Sequence, residues 1–108
     1  MSLAAILERI ITLNHAWKLS RDEFGVNHAI TESLRLQKSS WQATLLRDFP
    51  DAAYLRKDNE NTQGEPLLSV RLITPITING SVRYDAEHIP ERIAKQLFFE
   101  SELTQLVR

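Results

Sequence analysis

At 108 residues, with no cysteine and a net charge of −1, the chain is long enough for one hydrophobic core and excludes disulfides, thiolate metal sites and thiol nucleophiles. The charge is well mixed: +1 up to Asp48 (six basic, five acidic), −2 from Phe49 to Pro66 and zero from Leu67 onward, so no segment could hold a phosphate backbone by charge alone. No apolar run approaches ~18 residues and no basic region precedes the first apolar ones, so a single cytoplasmic domain over residues 1–108, without signal peptide or membrane span, is expected.

Ser2 can cap a first helix over residues 2–18. Leu3, Ile6, Ile10, Leu13 and Trp17 form its apolar stripe, widened by Leu7 and Ile11. Ser20-Arg-Asp-Glu23 has the Ser-x-x-Glu pattern of a capping box, which predicts a second helix starting there and weakened by Gly25. Val26, Ile30, Leu34, Gln37 and Trp41 follow at helical spacing. Ser39-Ser-Trp-Gln42 repeats the capping pattern and predicts a break near Lys38, while Pro50 ends the helical region by about Phe49.

Tyr54–Arg56 reads as a short strand, and Asp58–Pro66 as a loop available for contacts. Leu67–Thr74 is a strand with Leu68, Val70 and Leu72 on one face, and Leu67 and Ile73 on the other. Pro75 cannot donate to a ladder and predicts an edge or a bulge. Asn79-Gly80, between two alternating runs, predicts a two-residue hairpin turn flanked by Ile78 and Ser81, because a type I′ turn needs positive φ at both central residues. Pro90-Glu91 suits the start of a terminal helix with Ile93, Ala94, Leu97 and Phe98 inside; Leu103, Leu106 and Val107 either continue it or form a last turn begun by Ser101. The expectation is α+β: three N-terminal helices, a small antiparallel sheet of about three strands with an Asn-Gly hairpin, and a C-terminal helix.

The densest group of possible ligands is Asp85-Ala-Glu-His88, read as a capping turn that leads into the last helix. No second ligand cluster completes a metal site, and His15 and His28 sit beside apolar helix faces. No Gly-x-Ser-x-Gly elbow, phosphate-cradling glycine loop or paired carboxylates occur, so nothing nominates catalytic residues, a metal or a cofactor.

Glu23 to Arg35 resembles the turn and recognition helix of a helix-turn-helix. The resemblance covers about fifteen residues and implies nucleic-acid contacts from Asn27, His28, Thr31 and Arg35, with the Asn79-Gly80 hairpin as a wing, in a winged-helix-like DNA-binding protein. The stretch is nearly neutral, with Glu32 beside Arg35. The reading preferred on the residues is a non-enzymatic regulatory, inhibitory or accessory protein acting by protein–protein contact, as a homodimer. Its partner-binding residues would be Leu67, Ile73, Phe98 and Phe99, because a strand that is apolar on both faces and two adjacent aromatic rings exceed what one small core covers.

Overall fold

The expected α+β architecture is present in the computed structural model, which describes residues 1–59 and 64–108. Of the expected loop Asp58–Pro66, residues 60–63 lie outside the described residues. Helix α1 (Leu3–Phe24) begins where Ser2 Oγ accepts the Ala5 N–H at 3.1 Å. It runs six residues further than expected, because Ser20 does not cap. That side chain is buried, and its hydroxyl lies 2.7 Å from the Thr31 hydroxyl across the helical hairpin. The break falls instead at Gly25, whose φ of 91° is open to glycine and strained for other residues.

Helix α2 (Ala29–Asp48) is continuous, so two N-terminal helices stand where three were expected. The second capping pattern fails because the Ser39 hydroxyl donates back to the Arg35 carbonyl at 2.8 Å, a bond a mid-helix serine makes as readily as a cap. Its start is capped by His28, whose Nδ1 accepts the Ile30 N–H at 3.1 Å. The helix ends ahead of Pro50, as expected.

Strands β1 (Ala53–Asp58), β2 (Leu67–Ile78) and β3 (Ser81–Pro90) form one antiparallel sheet in that order. Leu55 pairs with Val70, and Ala53 with Leu72, which puts Leu68, Val70 and Leu72 on the face that the helices cover. Asn79 (φ 50°) and Gly80 (φ 81°) make the expected turn, with Ile78 opposite Ser81. Pro75 lies in a register shift between Arg71 and Ile76, beyond the residues of β2 that pair with β1.

Asp85–His88 is not a turn into a helix but part of β3. Between the pairs Ser69–His88 and Arg71–Asp85, β3 has two residues, Ala86 and Glu87, where β2 has only Val70. Glu87 takes φ 67°, and Asp85 Oδ1 accepts its N–H at 3.0 Å, so a turn-like bond sits inside a strand.

The terminal helix is divided into α3 (Glu91–Leu97) and α4 (Glu100–Leu106). Between them Phe98 is buried and Phe99 is exposed, the geometry that adjacent rings impose. Beyond α4, Val107 bridges Leu55 in parallel and the Arg108 N–H reaches the Leu55 carbonyl at 2.8 Å, which covers part of the free edge of β1. Ile6, Leu7 and Ile10 of α1 meet Leu45 and Leu46 of α2 and Leu55, Val70 and Ile89 of the sheet in one core. Leu7, expected at the margin of the stripe, is fully buried, whereas Leu13 is only half-buried.

Candidate functional site

Helix α2 is rotated away from the face that its apolar spacing predicts. Val26, ahead of the helix, and Ile30 and Gln37 within it are exposed and Leu34 and Trp41 of the same stripe are half-buried, whereas Thr31, Arg35, Lys38, Ser39 and Gln42 point inward. The hairpin turn at Gly25–His28 and the Ser20–Thr31 contact set this phase, and only from Ala43 onward does the inner face become apolar. Between Thr31 and Gln42, α2 therefore brings two cations and three neutral polar groups into the interior.

Each polar group is held by a specific partner. The Lys38 ammonium, with the residue 3% exposed, donates to Asn14 Oδ1 on α1 at 3.0 Å. Arg35, 8% exposed, reaches Glu65 Oε2 at 3.3 Å, and its Nε has no partner among the described residues. Gln42 donates from Nε2 to the Ala86 carbonyl at 2.8 Å and the His88 carbonyl at 3.2 Å, fastening α2 to the bulged end of β3.

Trp17 of α1 is the platform for these cations. The Arg35 and Arg21 guanidinium carbons lie 4.9 Å from its ring centre and Lys38 Nζ lies 5.1 Å from it. Stacking a cation on an aromatic face recovers part of its lost hydration, but an ammonium has three donors and Lys38 uses one. Burial consequently holds the Lys38 pKa down to about 8, with Arg35 and Lys18 acting in the same direction and Glu87 opposing them. Burial lowers Arg35 as well, without discharging a guanidinium at neutral pH.

A cavity of about 210 Å³ opens beside these groups, walled by Asn14, Trp17, Arg35, Lys38, Leu67 and Glu87, with Lys18 and His88 also lining it. Glu87 is engaged by Arg83, and His88 Nε2 lies 3.1 Å from Asp58 Oδ2. Outside the cavity, Arg92 bonds Glu32 at 3.1 Å and Glu65 at 3.0 Å, so a chain of ion pairs ties α2, the entry to β2 and α3 together around Arg35. A second, more polar hollow of about 300 Å³ lies on the sheet, lined by residues that include Arg56, Asp58, Ser69, Arg71 and His88. Among the described residues no group of three or more His, Asp or Glu side chains is placed to hold a metal ion, and no helix is long and apolar enough to cross a membrane.

The residues singled out from sequence are dispersed. Of the four nominated for nucleic acid, Asn27 and His28 are exposed at the hairpin turn, but Thr31 is fully buried and Arg35 faces the cavity. Neither Thr31 nor Arg35 lies on a surface that a duplex could reach. Of the four nominated for partner contact, Leu67 and Phe98 belong to the buried interior, whereas Ile73 (48% exposed) and Phe99 (77%) are available. Sequence reasoning missed Lys38, Asn14, Trp17 and Gln42 as a set; two cations at Arg35 and Lys38, three apart and so on one helix face, were the signal that could have found them.

Compared with known proteins, the chain matches no family model, no curated protein and no solved structure.

Proposed function

We propose that the chain is a non-enzymatic protein that acts by contact with proteins in a regulatory, inhibitory or accessory role, its first partner being a second copy of itself. The observation that carries this reading is the apolar end of the helical hairpin, where Phe24, Val26 and Ile30 are each about half exposed around the Gly25 turn. The Phe24 ring stacks on His28 at 4.8 Å, and His28 in turn caps α2, so the patch is built on ordered backbone. Leu19, on the last turns of α1, is 59% exposed as well. Exposed apolar side chains gathered around one turn mark a contact site, and a net charge of −1 opposes self-association only weakly.

Two copies meeting hairpin end to hairpin end would make an isologous contact, in which the same residues serve both sides. A stable interface needs upwards of about 1,000 Å², so the contact must spread along the outer faces of α1 and α2. Sedimentation equilibrium at micromolar concentration tests this. A dimer that Phe24→Glu dissociates is the expected result. A strict monomer, or a dimer indifferent to Phe24→Glu but broken by Phe99→Glu, would move the contact away from the hairpin and overturn the assignment.

A further inference from the structure

The cavity between the helical hairpin and the sheet is independent of that contact surface. Among the described residues that line it, three cationic side chains, Lys18, Arg35 and Lys38, stand against the carboxylate of Glu87. Glu87 is already bonded to Arg83. Two of the cations are almost completely removed from water, yet among the described residues Lys38 has one neutral hydrogen-bond acceptor and Arg35 one carboxylate contact. Buried charges are ordinarily paired and fully hydrogen-bonded, and here the unused donors belong to groups that wall the same cavity.

We propose that this cavity binds a small oxyanion, a carboxylate or a phosphate, received by the Lys38 ammonium beside the Arg35 guanidinium. The ammonium keeps two donors unused among the described residues, and the guanidinium adds a second positive charge beside it. Trp17 holds both cations from below, so the site is arranged before the ligand arrives. Lys18, exposed at the surface, draws an anion toward the opening, and Asn14 fixes the ammonium from the opposite side. A volume of about 210 Å³, set against the roughly 30 Å³ share of one water, limits the ligand to a small molecule.

The test is titration of the whole chain with inorganic phosphate and, separately, with lactate, at constant ionic strength made up with chloride. Fluorescence is read in a Trp41→Phe background, which leaves Trp17 as the sole tryptophan. A saturable Trp17 response to either probe is expected, weakened at least about tenfold by Lys38→Met. A response to lactate alone identifies a carboxylate site and one to phosphate alone a phosphate site. The proposal is overturned by a flat response to both, by a response that chloride reproduces, or by unchanged affinity in Lys38→Met. Arg35→Gln, which removes the second positive charge, provides a second variant should Lys38→Met not fold; affinity equal to that of the parent chain would equally overturn the assignment of Arg35.

Discussion

Replacing Lys38 by Met should stabilise the protein at neutral pH and lose that advantage at alkaline pH. The buried ammonium has its pKa lowered from 10.5 to about 8, a difference of 2.5 (10.5 − 8). At ~1.4 kcal/mol per unit, holding the charged form in the folded state costs about 3 kcal/mol wherever both states are protonated, that is, below pH 8. As pH rises from about 8 to 10.5 the folded chain has released this proton while the unfolded chain still holds it, so the penalty fades and stability rises. Methionine fills a similar volume with no charge. It leaves Asn14 Oδ1 without its donor, a loss of about 1 kcal/mol, so the net gain at pH 7 is on the order of 2 kcal/mol. Urea unfolding of both proteins at pH 7 and near pH 10 reads the difference directly, because the other titrating groups are common to the two chains. A variant less stable than its parent at pH 7, or a gap that does not narrow with pH, would refute the view that Lys38 is an uncompensated buried charge.

Gln42→Ala should cost about 2–4 kcal/mol in the same unfolding measurement, since it opens a cavity and strips the Ala86 and His88 carbonyls of their shared donor. Gly80→Val should cost roughly 1–3 kcal/mol through strain at φ 81° alone, because no atom beyond its chain neighbours lies within 4 Å of the Cβ it would add; a neutral result would remove the type I′ turn from the hairpin. Glu102, pulled from 4.5 to about 2 by Arg47, also accepts the Phe99 N–H at 3.0 Å, so α4 should keep amide protection at neutral pH and lose it as pH falls from 4.5 toward 2. Glu102→Gln should flatten that profile in hydrogen exchange.

What was legible in the sequence was what local chemistry decides. Asn79-Gly80 admits few backbone alternatives, Pro50 forbids continuation of the helix before it, and Leu68, Val70 and Leu72 alternate because one face of β2 is apolar. Ser20 and Ser39 misled because a serine hydroxyl bonds as well across a helical hairpin, or back along its own helix, as it does at a cap; only the tertiary partner Thr31 and the Arg35 carbonyl decide the matter. Asp85 misled for the same reason, since its turn-like bond to the Glu87 N–H builds a bulge inside a strand.

The phase of α2 failed differently. Pattern reading assumes that the interior is apolar, and it placed Val26, Ile30 and Gln37 inside because Thr31, Arg35 and Lys38 look like a solvated face. The structure exposes the first set and buries the second. Such an inversion costs stability twice, in apolar surface left wet and in charge left dry. Neither cost is required by the architecture, as the apolar contacts of Ala43, Leu45 and Leu46 further along the same helix demonstrate. The departure of α2 from the pattern therefore coincides with both surfaces assigned a role here, the exposed hairpin end and the cationic cavity behind it. A chain selected for stability alone would have placed these side chains the other way round.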